Sequence, residues 1–347
     1  MRVFLLPFAW LYHLILIVRH AMFDSGLKSS QSFDLPVICV GNIRLGGTGK
    51  TPHIEYLVRL LQKKHKIAIL SRGYGRLTKG FIEADSSKTA DLIGDEPMQY
   101  VTKFPDVTVA VDEKRVEGIK KLQQKTTPPE IILLDDAFQH RNVKAGLNIV
   151  LTDYHNLYSD DLLFPSGMLR DTKSSVKRAD AVIVTKTPAV FSPFIEQNLR
   201  DKLKLSPSQS LFFSYIYYGN MKPIVESTEA CIPKSITTIL LVTGIANSYP
   251  LKEYLNTRCI DLIEIKYGDH HRYTEKDLNL INSSFQNIIG KNKLIITTEK
   301  DAMRFKDSPY FRIIESLPLF YVPIKVAFHK SSGESFDAYI EKYVRKN

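Results

Sequence analysis

The stretch "PVICVGNIRLGGTGKTPHIEYLVRLL", Pro36 to Leu61, constrains the fold of this chain more than any other. An apolar, β-branched run passes into a glycine-rich loop, and the loop passes directly into a helical pattern. Strand, glycine loop and helix in that order make a cradle for a nucleotide phosphate. Glycines let backbone N–H groups turn inward, and the helix start adds a favourable field for an anion. Lys50 supplies a cation and Thr51 a hydroxyl for Mg²⁺. The usual spacing places a glycine five residues before the glycine of Gly-Lys-Thr. That position is Arg44, and Gly46 and Gly47 stand nearer the lysine instead. The physical demands are still met, so Gly46, Gly47, Thr48, Gly49, Lys50 and Thr51 form the candidate phosphate site.

From Phe33 onward, short apolar strands alternate with helical patterns: "KIAIL", "DVTVAV", "EIILLDD", "LNIVLTD" and "ADAVIVTK" are strands. Such alternation, with strands apolar on both faces, predicts a doubly wound parallel α/β sheet of the phosphate-loop NTPase type. The texture changes near Leu211. "LFFSYIYYGNMKPIV" reads as an antiparallel hairpin turning at Gly219–Asn220. After it "ITTILLVTGIA", "CIDLIEI" and "NKLIITTEKDAMRF" restart an α/β pattern. The expected organisation is an N-terminal membrane-associating helix at 1–28, a phosphate-loop domain at 29–210, a hairpin linker at 211–235, and a smaller α/β lobe with a terminal helix at 236–347.

The N-terminal run "VFLLPFAWLYHLILIV", Val3 to Val18, is almost wholly apolar and is flanked by Arg2 and Arg19–His20. As a helix it is about 24 Å long, short of the ~20 residues a span needs. No good cleavage site follows it, and a nucleotide loop some twenty residues later argues against export. The run therefore reads as a helix lying in or dipping into the inner face of a membrane. The chain's formal charge of +10 favours a polyanionic partner, whether nucleic acid, an anionic leaflet or a phosphorylated substrate. Its three cysteines, Cys39, Cys231 and Cys259, lack metal or disulfide spacing.

Other segments offer chemistry. "ILLDDAFQH" ends an apolar strand in Asp135 and Asp136, where nucleotide enzymes hold Mg²⁺. Adjacent carboxylates repel unless a cation stands between them. In "VIVTKTP", Pro188 stands where a guanine-reading aspartate is expected, which favours ATP. Asp95 in "GDEP" is a candidate base beside Glu96. "GDHH" gathers Asp269, His270 and His271. Arg72, Arg115, Arg141 and Arg170 recur in loops, where guanidinium forks suit phosphate. Aromatic and basic residues are not interleaved densely enough for a nucleic-acid surface.

Together "VGNIRLGGTGKTP", "SRGYGR", "GDEP", "LLDDAFQH", "FPSGMLRD", "VTGIANS", "YGDHHRYTEKD" and "TTEKDAMR" resemble the tetraacyldisaccharide 4'-kinase family of lipid A biosynthesis. They occur in family order from Val40 to Arg304. The resemblance implies ATP- and Mg²⁺-dependent phosphorylation of the 4'-hydroxyl of a tetraacylated glucosamine disaccharide 1-phosphate, giving lipid IVA. It implies a lipid substrate and an anionic membrane surface at the cytoplasmic face of the inner membrane, with no nucleic acid and no protein partner. Lys50 and Thr51 would hold the β- and γ-phosphates and the metal, with Asp135 and Asp136 also at the metal. Asp95 would be the base, with His270 its partner. Arg72, Tyr74, Arg115 and Arg170 would line the headgroup or phosphate site. Ala137 stands where the family commonly has glycine, and Asp171 where a longer acid is common. A membrane-partitioning ATPase is the principal alternative, but that class carries a lysine before its paired glycines, and here the residue is Leu45.

Overall fold

The computed structural model describes residues 3–225, 232–245, 247–269, 271–330 and 334–346. The chain divides into two units, one formed by Met1–Ile216 with Val326–Asn347, the other by Tyr217–Lys325.

The first unit opens with α1 (Leu6–Asp24), after a short 3₁₀ turn at Val3–Leu5. Then come β1 (Val37–Asn42), α2 (Lys50–Leu61), β2 (Ile67–Ser71), β3 (Ile82–Ala84), the single turn α3 (Ala90–Ile93), α4 (Asp95–Lys103), β4 (Thr108–Val111) and α5 (Arg115–Gln123). β5 (Ile131–Asp135), β6 (Leu147–Asp153), β7 (Ala181–Thr185), α6 (Pro193–Leu203) and β8 (Ser210–Tyr218) follow. β1 lies between β5 and β6 and is parallel to both. The chain first builds outward from β1 through β2 and β4, returns at β5, and then builds the other side through β6, β7 and β8. The phosphate loop thus leaves the sheet where strand order reverses, the place at which open α/β sheets bind ligands.

Both sheet faces are buried, as the continuous apolar strands require. Ile38 and Val40 of β1 enter one core with Ile54, Leu57 and Val58 of α2. Val37 and Cys39 point the other way, into a core shared with Ile119 and Leu122 of α5 and Leu199 of α6.

The second unit carries β9 (Lys222–Pro223), β10 (Ile236–Thr243), α7 (Tyr249–Asn256), β11 (Cys259–Lys266), α8 (Glu275–Asn287), β12 (Lys293–Thr298), α9 (Glu299–Asp307) and β13 (Leu319–Val322). Its sheet runs β11-β10-β12-β13-β9, parallel except for β9. The chain leaves it through β14 (Ile324–Phe328) and ends in α10 (Phe336–Lys346).

Two expected divisions are corrected. The 211–225 segment is not a self-paired hairpin: β8 joins the large sheet parallel to β7, and β9 pairs with β13. Phe212 and Phe213 alternate onto the two cores, which fixes β8 as a sheet strand. The terminal helix α10 belongs to the first unit. Phe336, Ile340 and Val344 fall on one helical face and enter the core that holds α2, and Tyr56 donates to Asp337 at 2.5 Å.

Candidate active site

The loop between β1 and α2 is shaped by its own residues. Gly49 adopts φ +90°, a left-handed conformation that a side chain would strain, and so turns the chain into α2. Asn42, the last residue of β1, donates from its side chain to Thr48 Oγ1 at 2.8 Å. Thr185 Oγ1 donates to the Thr48 carbonyl at 2.9 Å, and Lys186 Nζ reaches the Gly47 carbonyl at 2.5 Å and Asp153 at 2.7 Å. The segment after β7, read from sequence only for its lack of guanine specificity, therefore braces the loop. His53 lies beneath it, with Nδ1 at 2.7 Å from the Gly49 carbonyl, and burial pushes its pKa down to about 4.

Asp135 and Asp136 part company at the end of β5. Asp135 stays in the sheet and is fully buried, accepting one bond from Tyr100 at 3.2 Å, while its Oδ1 has no partner. Asp136 takes φ +49° and turns toward cations. Arg170 grips both its oxygens, one at 3.0 Å, and Lys50 Nζ stands 3.7 Å away. The left-handed residue of this turn is Asp136 and not Ala137, so alanine meets no backbone strain there. Burial, together with the negative charges of Glu96 and Asp136, raises Asp135 to about 7 against the pull of Lys50. Partial burial works against ionisation of Asp136, but Lys50, Arg170 and Arg115 hold it below the usual carboxylate range.

Thr51 Oγ1 donates to Glu96 Oε1 at 3.2 Å, which brings the start of α4 to the phosphate loop. Asp95 is the first residue of α4 and half-buried. Its placement depends on a tight crossing: a Cβ built on Gly73 would meet the Ile93 carbonyl at 2.6 Å, so only glycine lets "SRGYG" lie against the turn before Asp95. Arg72 and Tyr74 on this loop are exposed. Arg115 is buried, bonding to the Asp112 carbonyl at 2.5 Å and the Asp135 carbonyl at 3.3 Å, so it lies behind the aspartates. Burial lowers it to about 10 while the aspartates oppose the shift. Burial and the charges of Arg115 and Arg72 push His140 down to about 4, which places Arg72 in the same electrostatic neighbourhood.

The first unit thus gathers Lys50, Thr51, Asp135, Asp136 and Arg170, and draws Asp95 in through Glu96. His270 lies outside the described residues. In the second unit, His271 bonds Asp277 at 2.9 Å and stacks on Tyr267. No cluster of three or more His, Cys, Asp or Glu side chains forms a ready metal cage among the described residues. The donors present, the Thr51 hydroxyl, Glu96 and the orphaned Oδ1 of Asp135, suit Mg²⁺, which keeps several waters and takes one or two carboxylates. Glu96 and Asn42 were missed as site residues. Glu96 carried a signal, an acid one residue past Asp95 in the first turn of a helix, whereas Asn42 carried none.

The N-terminal helix is tied to this site. Tyr12 donates to the Arg170 carbonyl at 2.8 Å, Arg19 to the Gln139 carbonyl at 2.6 Å, and His20 pairs with buried Asp171 at 2.7 Å. Arg178 also bonds Asp171, at 3.2 Å, so the shorter acid is an anchor for the helix.

The whole chain has counterparts among known proteins. The family model for tetraacyldisaccharide-1-P 4'-kinase, LpxK, matches residues 1–345. A tetraacyldisaccharide 4'-kinase of Flavobacterium johnsoniae is 46% identical over 351 residues, covering 100% of this chain and 98% of that protein. One from Bacteroides thetaiotaomicron is 43% identical over 355 residues, covering 99% and 93%. The solved structure of LpxK from Aquifex aeolicus in complex with ATP shares the fold, with a TM-score of 0.74 at 24% identity, over 99% of this chain and 98% of that one. A match from the first residue to the last helix, over a loop whose glycine spacing is itself unusual, places this chain in the tetraacyldisaccharide-1-P 4'-kinase family.

Proposed function

We propose that this protein transfers the γ-phosphoryl group of ATP to the 4'-hydroxyl of a tetraacylated glucosamine disaccharide 1-phosphate, giving lipid IVA. The observation that carries this reading is the juxtaposition of Lys50 and Thr51, at the start of α2, with the Asp135–Asp136 end of β5 and the acidic start of α4. Phosphoryl transfer requires mainly positioning and charge stabilisation. The loop amides and Lys50 hold the β- and γ-phosphates. Arg170, already oriented by Asp136, faces charge that develops on the transferred group. Thr51 and Asp135 would hold Mg²⁺, which when bound would supply charge neutralisation for phosphoryl transfer. Asp95 accepts the proton of the sugar hydroxyl as its oxygen attacks in line. For His270 the proposed role is catalytic, on the resemblance alone, and Arg72 and Tyr74 contact the lipid headgroup.

The N-terminal helix supports a membrane location. Ala9, Leu16 and Phe23 are its buried positions, while Phe4, Phe8, Trp10, Leu14 and Val18 are exposed. It is long and apolar enough to cross a membrane by length and composition. Because Tyr12, Arg19 and His20 bind it along the protein surface, we place it in the interface at the cytoplasmic face of the inner membrane.

The test is incubation of the detergent-solubilised protein with γ-labelled ATP, Mg²⁺ and the disaccharide 1-phosphate lipid. Label on the lipid, lost in Asp95→Ala, is expected. Label found only in free phosphate would instead favour a partitioning ATPase.

A further inference from the structure

We propose that His53 is a positioning residue for the phosphate loop, fixing the Lys50 amide through the Gly49 carbonyl and tying that carbonyl to the far edge of the sheet. The inference rests on the reading of this loop as a nucleotide cradle. His53 sits one turn into α2 and is almost completely buried. Its Nδ1 lies 2.7 Å from the Gly49 carbonyl, which also accepts the His53 backbone N–H at 3.3 Å. A carbonyl only accepts, so Nδ1 carries the hydrogen. The neutral ring then leaves Nε2 as an acceptor, and Ser214 Oγ donates to it at 3.0 Å.

The consequence for the loop follows from peptide geometry. In a planar trans peptide the carbonyl of Gly49 and the N–H of Lys50 point in opposite directions. Two donors holding the carbonyl down toward α2 therefore hold the Lys50 N–H up toward the cradle. Gly49 has the freest backbone in the loop's last turn, and its φ of +90° has no side chain to lock it. A second bond on its carbonyl supplies the restraint that the glycine lacks.

The chain of bonds continues past Ser214. Thr187 N–H and Thr187 Oγ1 both donate to the Ser214 carbonyl, each at 3.0 Å. Thr187 Oγ1 also stands 2.9 Å from His329 Nε2. His329 in turn donates its backbone N–H to the carbonyl of Phe213 at 3.0 Å, on the strand that carries Ser214. The phosphate loop is thereby braced against β7, β8 and the chain just beyond β14, all within the first unit.

Isothermal titration of the detergent-solubilised full chain with MgADP tests this. His53→Leu removes both ring bonds and is expected to weaken binding about ten-fold. In His53→Asn an amide N–H takes the place of Nδ1–H and keeps the Gly49 bond, so binding is expected within about three-fold of the original. Ser214→Ala removes only the outer bond and is expected to weaken binding about three-fold. His53→Leu binding like the original chain, or His53→Asn binding as weakly as His53→Leu, would overturn the proposal. Should His53→Leu not fold, Ser214→Ala decides, and an unchanged affinity overturns it. Failure of the unsubstituted chain to bind MgADP would reject the nucleotide reading itself, and is distinguishable because no variant is then needed to see it.

Discussion

Arg170 closes both of its terminal nitrogens on the carboxylate of Asp136, and one of them also reaches Asn42 Oδ1 at 2.6 Å. The arginine is thus held in place before any phosphate arrives, by an acid and by the last residue of the strand that feeds the loop. Lys50 shares the same carboxylate at 3.7 Å. Asp136 is therefore the shared counter-ion of Arg170 and Lys50, while Asp135 keeps a buried oxygen without a hydrogen-bond partner.

Arg170→Ala removes one partner of this pair and leaves Lys50 alone against Asp136. The lysine is then drawn further to the carboxylate and away from phosphate. The expected result is a fall in kcat/KM of about 100-fold or more, with KM for ATP raised. Arg170→Lys does not restore it, because a single ammonium cannot grip two carboxylate oxygens and Asn42 together. Steady-state kinetics on both variants check this, and near-normal activity in Arg170→Lys would refute the role given to the fork.

Asp95 stands at the start of α4, one residue before the carboxylate that meets Thr51. A base for the acceptor hydroxyl contributes about 100-fold or more to turnover and nothing to nucleotide affinity. Asp95→Ala is expected to lower kcat by that factor with MgADP affinity unchanged. Equal loss of both would remove the base assignment and make Asp95 part of the nucleotide site.

Asp135 gives a pH prediction. Its pKa is raised from 3.8 to about 7, first by burial and then by Glu96 and Asp136. A carboxyl whose folded pKa exceeds its unfolded one binds more protons folded than unfolded between those values. Its contribution to stability is therefore full below about pH 4 and is lost as pH rises through about 7. In metal-free protein, Asp135→Asn is expected to raise Tm by several degrees at pH 8 and to change it little at pH 4. Mg²⁺ with nucleotide should stabilise the unsubstituted chain at pH 8 more than it stabilises the variant. Thermal melts at the two pH values check both; a variant less stable than the original at pH 8 would show that the charge is already compensated.

The sequence revealed the first unit's architecture because its strands are buried on both faces and leave unbroken apolar runs. It misread the end of β8, because "YGN" has the composition of a hairpin turn, while the pairing that overrides it, β9 with β13, joins residues about a hundred positions apart. It misplaced α10 for a related reason. The Phe336, Ile340 and Val344 stripe shows that the helix has a buried face but not which sheet covers it. At the site, residues marked by unusual local chemistry were legible: the glycines, Lys50, and the adjacent aspartates. Asn42 and His53 were not, since each acts through one long-range geometry that no local pattern announces.

The N-terminal helix yields the last prediction. Its docked stripe is narrow, and Tyr12, Arg19 and His20 on that side bind the segments carrying Arg170, Gln139 and Asp171. Deleting the helix would therefore disturb the active site as well as any membrane contact, and would not separate the two. Trp10, 74% exposed, and Leu14, 58% exposed, stand free of that stripe. Burying an apolar side chain of this size is worth about 2 kcal/mol, and a pair lying at a headgroup boundary contributes part of that each. Trp10→Glu with Leu14→Glu is expected to reduce co-sedimentation with anionic phospholipid vesicles at least ten-fold, while Tm and turnover on detergent-dispersed lipid stay near normal. Retained pelleting at moderate salt would place the membrane contact elsewhere on the basic surface. Lost turnover with the lipid in detergent would assign this face to the acyl chains of the substrate instead.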